Sequence, residues 1–199
     1  ASCLVGSEMC IRDRNCTTMN NEELLKMYEA IKADPGELVR AAARKRLINF
    51  ARYMQPDLVL EPFHVVYYTL LDMFAHGKIR KMIVQQPPQH GKSEGSSRKL
   101  PAFMLGLNPD HKICIGSYAA TIARDFNRDV QRIIDTPRYR ELFPGTYLNG
   151  SNVVTMSNTY LRNSDVIEMV GRKGSLRVVG RGGSLTSKTV DVSILDDVY

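Results

Sequence analysis

The chain has no tryptophan, and its 199 residues include only 4 cysteines. Cys3, Cys10, Cys16 and Cys114 show no Cys-x-x-Cys spacing, so neither a zinc knuckle nor a thioredoxin-like redox pair is indicated, and they read as incidental thiols. Long apolar runs are missing too. Nothing approaches the roughly 20 residues that a bilayer-spanning helix needs, and Ala1 to Arg14 lacks the ordered charged, apolar and small-residue regions of a signal peptide. Internal repeats and low-complexity tracts are absent, which argues against a solenoid, a fibre or a disordered tail. What remains, at 43% hydrophobic and 24% charged, is the composition of a soluble, cytosolic globular domain with enough chain to bury a core.

Charge of one sign is in small surplus, with 27 Lys plus Arg against 21 Asp plus Glu. Placement says more than the total. Arg162, Arg172, Lys173, Arg177, Arg181 and Lys188 fall in one glycine-rich stretch, and Arg40, Arg44, Lys45 and Arg46 form a second cluster. Loops of this kind suit contact with a phosphate backbone without base readout, or a solvated surface.

Three segments emerge along the chain. Residues 1–18 show no period and read as a leader outside the fold, with Met19 as the start. Residues 19–77 read as a helical region: a helix over Glu22 to Ile31 with Asn21 as N-cap, a second from about Pro35 to Tyr53, and a third opened by Glu61-Pro62 and running to His76-Gly77. In residues 78–199 strands alternate with helices. Strands are expected at Lys81–Val84, Lys112–Gly116, Asn152–Met156, Val166–Val170, Leu176–Val179 and Val190–Leu195. Helices are expected over 92–106 and from Ala119 to Asp135, the latter with Ile122, Phe126, Val130 and Ile133 on its apolar face. This alternation predicts an α/β domain with a largely parallel central sheet flanked by helices.

The chemistry centres on Gln86-Pro87-Pro88-Gln89-His90-Gly91-Lys92-Ser93. Gly-Lys-Ser between a buried strand and a helix is the second half of a phosphate-binding loop, in which amides at a helix N-terminus cradle phosphate. Lys92 would neutralise the β and γ groups, and the Ser93 hydroxyl would ligate Mg2+. The first half departs from the common pattern, since Gln86 stands in place of glycine and two prolines follow. Such a site needs a second carboxylate at the end of a neighbouring parallel strand. Val190 to Asp197 supplies it, with Asp196 as the metal carboxylate and Asp197 as the base that polarises the attacking water.

Six motifs in order, Val84 to Glu94, Leu105 to Asp110, Gly116 to Ala119, Leu142 to Gly145, Gly180 to Thr186 and Leu195 to Asp197, resemble the ATPase domain of tailed-phage terminase large subunits. That resemblance implies a RecA-like P-loop ATPase in which hydrolysis of Mg-ATP drives double-stranded DNA into a procapsid. It implies as partners the DNA, the portal protein, the small terminase subunit and further copies in a homo-oligomeric ring, with no membrane. The implied location is the host cytoplasm, with transient docking on the procapsid. The chain stops at the Asp-Asp strand, so the remaining ATPase and the C-terminal nuclease are expected to be missing, a truncation. Asp197 stands where many relatives have glutamate. Gln89 stands where many have arginine, which leaves Arg181 as the candidate for that charge.

Two other readings start from the same residues: a helicase or repair ATPase of the same fold, and a non-hydrolysing DNA-binding or prophage-remnant module. Phe63 and Tyr67 are candidates for stacking on adenine, with a core position as the alternative. His64, His76, His90 and His111 have no ligand spacing, and His90 is expected to shape the loop. Asp125 and Asp129 alternate with Arg124, Arg128 and Arg132 as a salt-bridged helix face.

Overall fold

The one helix expected from Pro35 to Tyr53 is two in the computed structural model, α1 (Gly36–Lys45) and α2 (Leu47–Met54). They part at Arg46, which is extended at φ −133° and ψ 128°. Buried Asp72 starts the second helix: its Oδ1 accepts the Leu47 N–H at 2.7 Å and its Oδ2 lies 3.0 Å from Arg46 Nε. A carboxylate that takes one of a helix's first free N–H groups acts as a cap, here from another helix, α3 (Pro62–Ala75). Hydrophobic period along 35–53 carries no sign of it. α3 itself begins as expected, with Pro62 in its first turn and a capping box in which the Glu61 N–H donates to His64 Nδ1 at 3.0 Å.

The structure describes residues 28, 29, 32, 34, 36–154, 159–183 and 189–197. Contacts divide the chain into residues 1–37 and 38–199. The leader at 1–18 lies outside the described residues, and of the Asn21-capped helix only Tyr28 and Glu29 are described, both helical. Within the first unit, Asp34 accepts the Gly36 N–H on its side chain and the Glu37 N–H on its carbonyl, each at 2.9 Å.

In the second unit the chain continues through a π-helix (Glu94–Lys99), α4 (Leu100–Leu107), β1 (Lys112–Ser117), α5 (Ala120–Asp135), α6 (Pro137–Leu142), β2 (Val166–Glu168), β3 (Ser175–Gly180) and β4 (Val192–Asp196). The sheet order is β2-β3-β1-β4, with β1 parallel to both β3 and β4 and β2 antiparallel to β3. The result is an α/β fold with a small, open, mixed sheet, less parallel than expected. The short β2–β3 turn explains the mixture, because parallel neighbours need a crossover of a dozen or more residues.

Two expected strands are corrected. Residues 81–86 keep the burial alternation of a strand, Lys81, Ile83 and Gln85 exposed against half-buried Met82, Val84 and Gln86, but they join no ladder. The apolar pattern is present without a hydrogen-bonding neighbour. From Asn152 to Met156, only Val153 pairs, in an isolated bridge with Arg162, while Thr155 and Met156 lie outside the described residues.

The core joins the helices to one side of the sheet. Phe50, Phe103, Tyr139 and Phe143 form an aromatic cluster with ring centroids 5.2 to 6.4 Å apart. Gly106 makes room for it, since a Cβ there would lie 2.4 Å from the Phe143 ring. The buried face of α5 is rotated from the expected one: Ala123, Phe126, Asn127, Val130 and Ile134 face inward, and Ile122 is exposed. Asn127 is tolerated there because its amide donates to the carbonyls of Asn163 and Ser164 at 3.1 and 2.7 Å. Among the described residues, no helix is long and apolar enough to cross a membrane.

Candidate functional site

β1 and β4 are parallel with Ser117 opposite Asp196, so both strands end on the same side of the sheet. Beyond β4 the backbone turns at Asp197, a non-glycine residue in the left-handed region at φ 43°, where the Tyr118 N–H donates to its carbonyl at 3.1 Å. Strain of this kind is concentrated at functional sites. The turn separates the two carboxylates: Asp196 is buried, while the Asp197 side chain is 76% exposed.

The loop from Gln86 to Ser93 arrives at the same place. Gln89 at φ 64° and Gly91 at φ 74° flank His90, whose Nδ1 is 2.8 Å from the Pro88 carbonyl. The expectation that His90 shapes the loop fits this contact. Alternating backbone hands curl a chain tightly, which is how loops gather amides into an anion-binding concavity. Gly91 faces the His64 ring, whose Nε2 would be 3.5 Å from a Cβ at that position.

Lys92 Nζ lies 2.5 Å from Asp197 Oδ1 and 4.0 Å from Asp196 Oδ1. The hydrogen bond to Asp197 holds the ammonium above its ordinary pKa, burial opposes this, and the charges of Asp197 and Asp196 add to the rise. Of the site residues named from the sequence, Lys92, Asp196 and Asp197 are thus brought together. Ser93 is adjacent to Lys92 but makes no side-chain hydrogen bond among the described residues. The serine bound to Asp196 is Ser97, fully buried, whose Oγ donates to Asp196 Oδ2 at 2.6 Å.

Ser97 belongs to the π-helix, a rare form that is frequent at functional sites. Charges pin that helix. Buried Lys99 reaches Glu94 at 3.1 Å and the Gln55 side chain at 3.3 Å, while Arg98 bonds Asp129 at 2.7 Å and lies 5.1 Å from the centre of the Phe126 ring. Asp129 thereby serves both Arg98 and Arg132, so the α5 charge face extends to the π-helix that follows the loop.

Tyr67 supports the loop from α3. Its hydroxyl donates to the Lys92 carbonyl at 2.6 Å, and burial pushes its pKa up to about 12. Gly95 lets the ring pass, because a Cβ there would sit 2.6 Å from Tyr67 Cε1. The stacking reading for Tyr67 is therefore replaced by a core role: at 2% exposure its ring faces are covered. Phe63 is exposed and close to the loop, its ring centre 3.9 Å from that of His64 and 5.6 Å from that of His90. Sequence reading missed Ser97, Gly95 and the Tyr67 anchor. The one available signal was the run of small residues Gly95-Ser96-Ser97 directly after the loop.

Ser93 and Asp196 carry oxygen atoms that could hold a divalent cation, too few for a cage made by protein alone. Among the described residues, no three His, Cys, Asp or Glu side chains gather into a metal cluster. Gln86 Oε1, at the entry to the loop, is a buried acceptor with no partner among the described residues, the kind of atom that a ligand or water satisfies. Pro87, Pro88 and Gln89 are exposed, and Gln89 brings no charge. Arg181 is also exposed, just past the end of β3, where its N–H donates to the Tyr118 carbonyl at 3.3 Å.

The chain matches no family model, no curated protein and no solved structure.

Proposed function

We propose that the chain is the ATP-hydrolysing part of a DNA-packaging motor of the terminase large-subunit type, with a RecA-like phosphate-loop core. The observation that supports it is the convergence of Lys92 on Asp196 and Asp197, the loop lysine and the strand-end carboxylates meeting within 4.0 Å. In this reading Gln86 to Ser93 would surround the phosphates of ATP, and Ser93 and Asp196 would hold Mg2+, which would supply neutralisation of the phosphate charge.

The chain's own residues do the remainder. Lys92 turns from Asp197 to the phosphates when nucleotide enters, exchanging one anion for another. Asp197, exposed and released, accepts a hydrogen bond from a water and takes its proton as that water attacks the γ-phosphorus and the bond from γ-phosphorus to the bridging oxygen breaks, releasing ADP and inorganic phosphate. Ser97 holds Asp196 by one oxygen, and Tyr67 fixes the carbonyl of Lys92. The motif resemblance adds the partners proposed: duplex DNA, the portal protein of a procapsid, the small terminase subunit and further copies in a ring, working in the host cytoplasm.

Phosphate release from ATP, measured with and without Mg2+ and with duplex or single-stranded DNA added, tests this reading. Mg2+-dependent turnover stimulated by duplex is expected. Stimulation by single strands alone would favour a helicase or repair ATPase, and nucleotide binding without turnover would favour a non-hydrolysing module.

A further inference from the structure

A cavity of about 350 Å3 opens at the end of the sheet opposite the phosphate loop, where parallel β1 and β3 begin at Lys112 and Ser175. Its volume lies within the range of about 300–1,000 Å3 usual for ligand sites. Lys112, Arg172, Lys173 and Arg177 line it, against one carboxylate, Glu168. Glu168 is already engaged, accepting the Leu161 N–H at 3.0 Å. Asp110 and Asp191, close in the chain to these residues, accept the backbone N–H groups of Lys173 and Lys112 at 2.8 and 2.9 Å.

The cations here differ from six arginines elsewhere in the molecule. Arg46, Arg98, Arg124, Arg128, Arg132 and Arg162 each bind an aspartate. Arg172, Lys173 and Arg177 make no ion pair among the described residues, although Arg177 is half-buried. A guanidinium partly withdrawn from water is unfavourable without an anion to compensate it.

The turn that carries two of these cations is firmly built. The Met169 N–H donates to the Gly174 carbonyl at 3.0 Å, the Arg172 N–H to Met169 at 3.1 Å and the Ser175 N–H to His111 at 3.0 Å. Gly171 adopts φ 73°, and a Cβ at Gly174 would lie 2.1 Å from the Pro109 carbonyl oxygen, so backbone packs directly on backbone. Thr189 Oγ1 accepts from Lys112 Nζ at 2.8 Å, which leaves its O–H as a further donor for an anion. Donors held in advance lose little freedom on binding.

We propose that this cavity is a second phosphate-binding site, independent of the phosphate loop, in which Arg172, Lys173 and Arg177 hold the phosphate groups of a ligand. The chemistry is that of a phosphodiester in a nucleic-acid backbone or a phosphate on a small anion, both suited to guanidinium forks and ammonium point charges. The site does not depend on the ATPase reading.

The test uses the full chain, with a short labelled DNA duplex and inorganic pyrophosphate as probes in parallel titrations. Arg172→Glu combined with Lys173→Glu is expected to weaken binding of at least one probe about tenfold or more. If the duplex is the ligand, the salt slope should fall by about 2, one unit for each phosphate contact removed. The exposed Arg172→Gln, Lys173→Gln pair keeps the test open if charge reversal disturbs folding. Lys92→Ala, which disables the phosphate loop, is expected to leave the cavity's binding intact. Weakening of duplex binding alone assigns a nucleic-acid backbone, and weakening of pyrophosphate alone assigns a small phosphorylated ligand. Unchanged affinity for both probes in the charge variants, no binding of either probe by the wild type, or loss of both in Lys92→Ala alone would overturn the proposal.

Discussion

Ser97 Oγ donates to Asp196 Oδ2 at 2.6 Å, joining two buried side chains 99 residues apart and fixing the end of β4 to the helix that follows the phosphate loop. One carboxylate oxygen is thereby tied, and the other, Oδ1, is on the Lys92 side. Ser97→Ala leaves a buried carboxylate oxygen without its donor and should lower stability by about 1–3 kcal/mol, with Ser97→Thr recovering part of the loss. Urea unfolding of the three proteins measures this. In the same variants the proposed function predicts that nucleotide affinity falls more with Mg2+ present than with EDTA, because Ser97 holds the carboxylate proposed to bind the metal.

Tyr67 and Gly95 form one device. Tyr67→Phe removes only the hydrogen bond to the Lys92 carbonyl and should cost about 1 kcal/mol. Gly95→Ala should cost more, because its new methyl would sit 2.6 Å from a ring that is itself buried and tethered by its hydroxyl. Thermal unfolding of both variants checks the order, and a Gly95→Ala protein as stable as the wild type would show that the ring is not held as described.

Alkaline pH should weaken this same anchor. Burial raises the Tyr67 pKa from 10.0 to about 12, so the folded state favours the protonated phenol. Its contribution is complete below pH 10 and is lost as pH rises from there towards 12. Lys92 has the same sign: its pKa is raised above 10.5 by Asp197, so its contribution is present at neutral pH and lost above that value. Stability followed by denaturant titration should therefore be insensitive to these two groups near neutrality and fall above about pH 10. Tyr67→Phe should flatten part of that fall.

Asp197 is expected to matter for chemistry and little for folding. Its bond to Lys92 joins a side chain that is 76% exposed to one that is 26% exposed, and pairs of that kind contribute about 0–1 kcal/mol. Asp197→Asn should thus melt within a few degrees of the wild type, which a differential scanning experiment would show.

Much of this arrangement was readable from residue order. Gly-Lys-Ser before a helix and paired aspartates after an apolar strand predicted that Lys92, Asp196 and Asp197 would meet, and β1, β3, β4 and α5 fall close to their expected positions. The features that were not readable depend on partners distant in sequence. The break at Arg46 is set by Asp72 on another helix, and residues 81–86 join no ladder because no strand among the described residues pairs with them. Hydrophobic period does not distinguish the π-helix from an α-helix over 94–99, so it gives no sign that Ser97 meets Asp196. Nor did the glycine-rich basic stretch reveal that Arg162 is committed to Asp135 while Arg172, Lys173 and Arg177 surround a cavity.

The central claim, that Lys92 and the two aspartates form an ATP-hydrolysing site, is tested most directly by single-turnover ATP cleavage in the wild type, Lys92→Ala and Asp197→Asn. The account predicts Mg2+-dependent cleavage by the wild type. Lys92→Ala should lose about a hundredfold or more, through loss of charge stabilisation. Asp197→Asn should retain nucleotide binding but lose about a hundredfold or more in the cleavage step, as removal of a general base does. Equal cleavage by wild type and Lys92→Ala would contradict it.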